Sequence, residues 1–199
     1  MNTIVDFLRH GEVSGGSYYR GSTNDPLTQR GWQQMEKVIA NRQWDHIVSS
    51  SLSRCLNFAQ QTSEQNKINL TVDDSWQEIH FGDWEGKTAK QIDQQALMLF
   101  YQDPIGNIPP NAEGFSNFLA RVNLAWNQLL NTYQGKHVLV ITHAGVIRSL
   151  FHLHLNLPIE KTFNLNVDHA SLTRFQCFHN DPEPFIQLEF HNLSQAHLY

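Results

Sequence analysis

The sequence contains the apolar run His137-Val138-Leu139-Val140-Ile141-Thr142, followed directly by His143-Ala144-Gly145. A short run of aliphatic residues without polar alternation is typical of a strand that is buried on both faces. Ile147, Leu150 and Phe151 follow at helical spacing and predict a helix immediately after the strand. A buried strand that leads into a helix is the repeating unit of a parallel sheet, so this stretch indicates an α/β fold.

Further strands and helices alternate along the rest of the chain. Short apolar segments predict strands over residues 3–8, 45–49, 70–72, 171–178 and 185–190. Apolar residues at helical spacing predict helices over residues 28–39, 52–65, 89–101 and 115–133. Glycine, asparagine and proline make residues 11–27 a long loop, and Asn180-Asp181-Pro182 a turn between the last two strands. We find no repeat or linker, and we predict one three-layer α/β/α domain over residues 1–199 with a mostly parallel central sheet.

The composition restricts the classes of function. The chain has 199 residues, a net charge of −5 and a sequence pI near 6.1, which disfavours binding to nucleic acid or to an anionic membrane surface. Its two cysteines, Cys55 and Cys177, form neither a disulfide framework nor a metal motif. The N-terminal residues lack the pattern of a signal peptide, and no apolar run reaches membrane-spanning length. These features predict a cytoplasmic protein, and they leave a homodimer open.

Two of the predicted strands end in a histidine that is followed within two residues by glycine. These endings are Leu8-Arg9-His10-Gly11 and Ile141-Thr142-His143-Ala144-Gly145. Ligands of open α/β sheets bind outside the carboxyl ends of the strands, so both imidazoles should lie where a ligand binds. The glycines allow close approach of the backbone, and a helix that begins after His143 offers free N–H groups to an anion.

Two arginines are expected at the same edge of the sheet. Arg9 precedes His10, and Arg54 opens the helix that follows the strand ending at Ser49-Ser50. Guanidinium groups that converge on imidazoles are typical of a phosphate site. In such a site a neutral imidazole nitrogen attacks phosphorus while the arginines stabilise the charge on the phosphoryl oxygens. A carboxylic acid is still required to protonate the leaving oxygen.

Four blocks of the sequence resemble the ordered signature of the histidine phosphatase superfamily, the phosphoglycerate mutase-like group. In chain order they are Arg9-His10-Gly11-Glu12, Ser50-Ser51-Leu52-Ser53-Arg54, Glu78-Ile79-His80-Phe81-Gly82-Asp83-Trp84-Glu85-Gly86 and Thr142-His143-Ala144-Gly145. An R-H-G tripeptide alone is a weak motif, whereas the four blocks in this order extend over most of the chain. The resemblance implies a phosphoglycerate mutase-like fold and a phosphoric monoester hydrolase.

The resemblance also implies roles for the residues that match the signature. His10 becomes a phosphohistidine, while Arg9, Arg54 and His143 hold the phosphoryl group. Glu78 protonates the leaving group and then activates water. The resemblance implies neither a metal nor an organic cofactor, and its substrate is a small phosphate monoester.

Several assignments near the site stay open at the level of sequence. Glu85 and Glu113 are rivals of Glu78 for the proton-donor role, and Glu113 is also a candidate for substrate binding. Glu12 either contacts a ligand or is an ordinary surface residue. Tyr19 and Arg20 either line a leaving-group pocket or belong to a flexible loop.

The histidine content raises the alternative of a metallohydrolase. The chain has 11 histidines, but His152 and His154 are two residues apart on a predicted helix and therefore point to different faces. The sequence also lacks H-E-x-x-H and Cys-x-x-Cys motifs. We therefore predict no metal site.

A finer resemblance concerns the loop after Glu12. Tyr18-Tyr19-Arg20-Gly21 and Asp25-Pro26-Leu27-Thr28 resemble the alpha-ribazole phosphatase branch, which implies alpha-ribazole 5′-phosphate as substrate in the assembly of the cobalamin lower ligand. Gly16 stands where many members have an asparagine, so one phosphate contact differs. The alternatives are a phosphoglycerate mutase-type phosphoryl transfer, a broad-specificity small-molecule phosphatase and a non-catalytic phosphate-binding module.

Overall fold

The computed structural model describes residues 2–179 and 184–194, and its centre is a six-stranded sheet. The strands are β1 (Asn2–Arg9), β2 (His46–Ser49), β3 (Leu70–Val72), β4 (His137–Thr142), β5 (Leu172–Phe178) and β6 (Phe185–Leu193). Their order across the sheet is β3-β2-β4-β1-β5-β6. The first four strands are mutually parallel, whereas β5 runs antiparallel to both β1 and β6. The predicted mostly parallel sheet is confirmed.

Helices cover both faces of the sheet. They are α1 (Gln29–Ile39), α2 (Ser53–Asn66), α3 (Gln94–Gln102), α4 (Phe115–Thr132) and α5 (Ala144–Leu155). Alternate residues of β4 point to opposite faces, so Val138 and Val140 share a core with α4 and α5. Leu139 and Ile141 share the other core with α1 and α2. The continuous apolar run of β4 therefore reflects burial on both faces and produces three layers.

Local sequence accounts for two helix starts. Thr28 is the N-cap of α1, where its side chain accepts a hydrogen bond from the Gly31 N–H. The predicted helix over residues 89–101 is wrong in its first part, because a short 3₁₀ turn at Ala89–Gln91 ends before Ile92, which is buried. Asp93 then caps a new helix by accepting from the Ala96 N–H, so α3 begins at Gln94.

The tail of the chain agrees with the predicted pair of strands. Residues 171–178 were expected as a strand and β5 covers Leu172–Phe178, while β6 extends from Phe185 to Leu193, beyond the predicted end at residue 190. The predicted turn at Asn180-Asp181-Pro182 lies outside the described residues. Within the described ranges, no helix is both long and apolar enough to cross a membrane.

The register of the sheet brings three strand ends to one level. Arg9 is opposite Thr142 in the β1–β4 pair, and the His10 N–H donates to the Thr142 carbonyl at 3.0 Å. The Ser50 N–H donates to the Ile141 carbonyl at 3.0 Å, which aligns the end of β2 with them. Residues that follow β1, β2 and β4 therefore meet at the same edge of the sheet.

Candidate active site

His10 lies immediately after β1 and is nearly buried, with 6% of its surface exposed. Its Nδ1 atom is 2.8 Å from the Gly11 carbonyl oxygen. Because a carbonyl oxygen only accepts, Nδ1 carries the proton and Nε2 carries the free lone pair. Burial, with Arg9 and Arg54 nearby, holds the pKa of His10 well below its ordinary value. The imidazole is therefore neutral at pH 7, which is the form that can act as a nucleophile.

Arg54 projects from the first turn of α2 and is fully buried. Its Nε–H donates to Nδ1 of His143 at 3.2 Å. Its two terminal nitrogens donate to the carbonyl oxygens of Thr23 at 2.6 Å and Gly21 at 2.8 Å. All three acceptors are neutral, so they orient the guanidinium without cancelling its charge.

His143 caps the N-terminus of α5 and faces the nucleophile candidate. The ring centroids of His10 and His143 are 5.3 Å apart. Since Nδ1 of His143 accepts from Arg54, its Nε2 carries the proton and donates to the Ser50 hydroxyl at 2.8 Å. Burial, together with the positive charge of Arg54, holds the pKa of His143 well below its ordinary value.

Arg9 completes the group of cationic and imidazole side chains. One terminal nitrogen donates to the Val167 carbonyl at 2.5 Å, and the other lies 2.9 Å from Nε2 of His169. Its Nε atom is buried and has no hydrogen-bond partner among the described residues. Burial lowers the pKa of Arg9 to about 10, which still leaves it charged at pH 7. The side chain thus retains free donors for an anionic ligand.

Glu78 lies beside the N-terminus of α5. Its Oε2 accepts from the Gly145 N–H at 2.9 Å, and its Oε1 accepts from the Ile79 N–H at 3.1 Å. A Cβ at position 145 would lie 2.1 Å from the Glu78 carboxylate, so this approach requires glycine. The close contact with the Glu78 carboxylate therefore explains why the sequence motif has glycine at position 145.

The two rival glutamates have other partners. Glu85 accepts from the N–H groups of Gly21, Ser22, Thr23 and Phe81 and from the Thr23 hydroxyl. Glu113 accepts from Arg121 at 2.6 and 2.9 Å. Both carboxylates hold the loops together, whereas Glu78 is held only by two backbone N–H groups among the described residues.

Two of the remaining sequence-predicted residues lie at a cavity beside Arg9. Glu12 and Arg20 line a cavity of about 500 Å³ that also includes Arg9 and His169. Glu12 accepts from the Thr28 hydroxyl at 2.9 Å.

Arg20 and Tyr19 follow each other in the loop but have different surroundings. Arg20 pairs with Asp25 at 2.8 Å and stacks over the Tyr18 ring at 4.0 Å. Tyr19 instead packs against Phe81 and Trp84, with ring centroids at 5.2 and 5.6 Å. Contacts at both residues therefore hold the loop in place.

The glycine that departs from the family pattern has a conformational explanation. Gly16 adopts a φ of +89°, in the region that favours glycine, and it also lines the cavity. Ser14 is tied to the other end of the loop by its N–H, which donates to the Pro26 carbonyl at 3.0 Å. The backbone conformation at position 16 therefore favours glycine over asparagine.

His169 belongs to this site, although none of the sequence motifs includes it. Its ring centroid is 5.6 Å from that of His10, and its Nε2 is the partner of Arg9. It lies in the segment before β5, which reaches the site because β5 pairs with β1 and because the Ala170 N–H donates to the His10 carbonyl at 3.1 Å. Across residues 2–179 and 184–194, no three histidine, cysteine or acidic side chains are arranged to hold a metal ion.

Comparisons with known proteins agree on one family. The model of the histidine phosphatase superfamily (branch 1) matches residues 5–185. A bifunctional protein of Mycobacterium tuberculosis is 33% identical over 180 residues, which cover 86% of this chain and 49% of that protein, so the chain spans about half the length of that relative. The adenosylcobalamin/alpha-ribazole phosphatase of Escherichia coli is 27% identical over 81% of this chain and 83% of its own. The structure of a mycobacterial glucosyl-3-phosphoglycerate phosphatase superposes with a TM-score of 0.84 at 26% identity, covering 98% of this chain and 100% of that one.

Proposed function

The chain belongs to the histidine phosphatase superfamily, and on this basis we propose that it hydrolyses phosphate monoesters through a phosphohistidine formed at Nε2 of His10. One observation carries the proposal: two guanidinium groups, the buried one of Arg54 and the half-buried one of Arg9, are held by neutral acceptors beside a neutral imidazole with a free Nε2 lone pair. A buried positive charge without a carboxylate partner favours an anionic ligand, and a phosphoryl group accepts from several N–H donors at once.

In the first step, His10 attacks phosphorus and the bond between phosphorus and the ester oxygen breaks. Nδ1 keeps its proton, because the Gly11 carbonyl holds it, so the lone pair of Nε2 forms the new N–P bond. Glu78, as the carboxylic acid, gives its proton to the leaving oxygen, which departs as a neutral alcohol. The imidazole that results carries a positive charge and the phosphoryl group.

In the second step, water attacks phosphorus and the N–P bond breaks. The Glu78 carboxylate takes the proton from water, which restores its acid form, and His10 regains its free Nε2 lone pair. Arg9 and Arg54 stabilise the phosphoryl oxygens in both transition states, where the charge is spread over them. His143 supports this arrangement through its hydrogen bond with Arg54.

We infer that the leaving alcohol lies in the cavity next to Arg9. Its volume of about 500 Å³ suits a ligand of nucleoside size, and hydroxyl-bearing and charged side chains line it. We propose alpha-ribazole 5′-phosphate as the substrate, in the assembly of the cobalamin lower ligand. The motifs of residues 18–28 and the similarity to an Escherichia coli adenosylcobalamin/alpha-ribazole phosphatase support this choice.

The proposal also includes turnover without a metal and a cytoplasmic location. Metal-free turnover is supported by the mechanism, in which the side chains supply all the charge stabilisation and proton transfer. Cytoplasmic location is supported by Cys55 and Cys177, which are both buried, free thiols.

A chromogenic phosphomonoester assay tests the phosphatase itself. Wild type should hydrolyse the ester in excess chelator. When a brief reaction with a ³²P-labelled ester is quenched, the protein should carry an acid-labile, base-stable label. His10→Ala should show neither turnover nor label. Equal turnover in His10→Ala, or a requirement for added metal, would contradict the mechanism.

A panel of substrates tests the leaving group. The panel contains alpha-ribazole 5′-phosphate, glucosyl-3-phosphoglycerate, and 3-phosphoglycerate with 2,3-bisphosphoglycerate. We expect the largest kcat/KM for alpha-ribazole 5′-phosphate. Formation of 2-phosphoglycerate at a comparable rate would instead establish mutase-type transfer, and similar values for all esters would establish a broad-specificity phosphatase.

A further inference from the structure

We propose that His169 is a positioning residue, which holds the guanidinium of Arg9 against the phosphoryl group without cancelling its charge. This inference rests on the proposed function. The role of His169 adds to that function, because His169 lies outside the four sequence blocks that identify the family.

The contact fixes the chemical form of His169. A guanidinium only donates hydrogen bonds, so Nε2 of His169, at 2.9 Å from Arg9, must be the unprotonated nitrogen. The proton is then on Nδ1. Burial, with further contributions from Arg9 and Arg20, lowers the pKa of His169 to about 4, so the ring is neutral at pH 7.

His169 and Val167 hold Arg9 from one short segment. The two terminal nitrogens of Arg9 each donate to this segment, one to the Val167 carbonyl and one to the His169 ring. Two contacts on two nitrogens define the plane of the guanidinium. The second N–H group of each terminal nitrogen then keeps a fixed direction for the ligand.

A neutral acceptor has an advantage over a carboxylate at this position. Aspartate or glutamate would hold Arg9 more strongly, but it would neutralise the charge and repel a phosphate dianion. Arg174 illustrates this alternative, since both of its contacts with the buried Asp6 carboxylate are at or below 3.0 Å. An imidazole acceptor orients Arg9 and leaves the full charge for the ligand.

The segment that carries His169 is itself fixed by β6. Asn192 accepts from the Asp168 N–H at 2.6 Å and donates to the Asp168 carboxylate at 2.9 Å. Ala170 adopts a φ of +51°, a left-handed conformation that is unfavourable for a residue with a Cβ. Strained backbone of this kind is concentrated at functional sites. At Ala170 it turns the chain so that its N–H reaches the His10 carbonyl while His169 reaches Arg9.

Three substitutions at position 169 separate the parts of this proposal. His169→Leu removes the acceptor and should lower kcat about 10- to 100-fold, with a smaller change in KM. His169→Gln offers a carbonyl oxygen near the position of Nε2 and should restore kcat to within about threefold of wild type. His169→Glu keeps an acceptor but adds a negative charge, and it should weaken the binding of orthovanadate more than His169→Leu does.

A matched control and a binding readout exclude a purely structural effect. His46→Leu removes a histidine at the opposite end of the sheet, at the start of β2, and should leave turnover unchanged. Each variant is checked by circular dichroism and thermal unfolding, and orthovanadate affinity is measured from inhibition. Retention of wild-type kcat and vanadate affinity in His169→Leu would overturn the proposal, as would failure of a well-folded His169→Gln to recover activity.

Failure of the proposed function would look different. If wild type neither turns over any ester nor forms a phosphohistidine, the phosphatase assignment is wrong. The role of His169 is then judged by the binding of inorganic phosphate, measured by calorimetry on wild type and His169→Leu. Equal dissociation constants would overturn it, and weaker binding by the variant would support it.

Discussion

Asp6 and Arg9 lie three residues apart on β1, yet only Asp6 forms ion pairs among the described residues. The Asp6 carboxylate is fully buried and accepts from Arg174 at 2.7 Å, His137 at 2.9 Å and the Trp44 indole at 2.8 Å. Burial alone would raise the pKa of Asp6, but the hydrogen bonds from His137 and Arg174 lower it to about 2. This charge is compensated within the fold.

Arg9 and Arg54 are compensated less directly, because the Glu78 carboxylate acts on both without an ion-pair contact. Their partners are the carbonyl oxygens of Val167, Thr23 and Gly21 and two imidazole nitrogens. In the described part of the chain, no carboxylate forms an ion pair with either arginine. Two like charges are thus held at one edge of the sheet.

The difference separates structural charges from those that serve a ligand. Removing a charge from water is unfavourable, and the fold offsets this at Asp6 with a partner of opposite sign. At Arg9 and Arg54 the fold supplies geometry but no carboxylate in direct contact, so the phosphate dianion that we propose as ligand would be the partner of opposite charge. Substitutions at Asp6 and at the two arginines should therefore affect different properties.

Arg54→Met should have the largest effect, and it should be on catalysis. We expect kcat/KM to fall about 10³-fold or more, because the variant loses a fixed positive charge that stabilises the transition state. Steady-state kinetics measure this loss. Inorganic phosphate should raise the unfolding temperature of wild type but not that of Arg54→Met, since only wild type binds it through Arg54. A normal phosphate response in the variant would argue against a ligand role.

Asp6→Ala should lower stability and leave catalysis nearly unchanged, which is the opposite of Arg54→Met. Removal of the carboxylate leaves Arg174 and His137 without their partner, so the free energy of unfolding should fall by about 3–5 kcal/mol, while kcat of the folded enzyme stays within twofold. Denaturant unfolding measures the stability.

The pH dependence of this difference follows from the lowered pKa of Asp6. A carboxylate whose pKa is lowered on folding stabilises the protein above its unfolded pKa of about 3.9, and that stability is lost as the pH falls toward 2. The gap between wild type and Asp6→Ala should thus be constant above about pH 4 and narrow below it. A gap that does not narrow below pH 4 would contradict the lowered pKa of Asp6.

Glu78→Gln compared with Glu113→Gln tests the proton donor. We expect Glu78→Gln to lower kcat on the order of 10²-fold for an ester with a poor leaving group. The loss should be smaller for p-nitrophenyl phosphate, whose leaving group hardly needs a proton. Glu113→Gln weakens the contact with Arg121 and should reduce stability rather than show this dependence on the leaving group. Equal leaving-group dependence in both variants would contradict the assignment.

Much of the fold could be predicted because its signals are local. The apolar run of β4, the Thr28 cap and the motif residues at strand ends are each visible within a few positions of sequence. The start of the helix predicted over residues 89–101 was wrong because apolar periodicity continues through Ile92, while the Asp93 cap that interrupts it is a single residue.

The candidate site was predictable where strand register alone brings residues together. Arg9, His10 and His143 meet because β1 and β4 are adjacent and parallel. His169 could not be predicted, since it reaches Arg9 only through the antiparallel pairing of β5 with β1 and the turn at Ala170. The choice among glutamates was open in the sequence for a similar reason, because the Gly145 partner of Glu78 and the Gly21 partner of Glu85 are distant in sequence.

His154→Phe should have the smallest effect of these substitutions. It tests whether a missing hydrogen-bond partner is enough to mark a ligand site. His154 is in the last turn of α5, away from the site, and its ring stacks on Trp126 at 4.4 Å. Its Nε2 is buried without a partner in residues 2–179 and 184–194, so a missing partner alone does not mark a ligand site. What distinguishes Arg9 and Arg54 is uncompensated charge, because burial lowers the pKa of His154 to about 4 and leaves it neutral.

The sign of the pH effect at His154 follows from this lowered pKa. The unfolded chain binds a proton at this histidine below about pH 6.5, whereas the folded protein does not until about pH 4, so wild type loses stability as the pH falls between these values. His154→Phe removes this dependence and should exceed wild type in unfolding free energy by about 1–2 kcal/mol more at pH 5 than at pH 7.5. Denaturant unfolding at the two pH values measures the difference, and kcat should be unchanged. A difference independent of pH would mean that His154 is not neutralised by burial, and the contrast with the two arginines would then lose its physical basis.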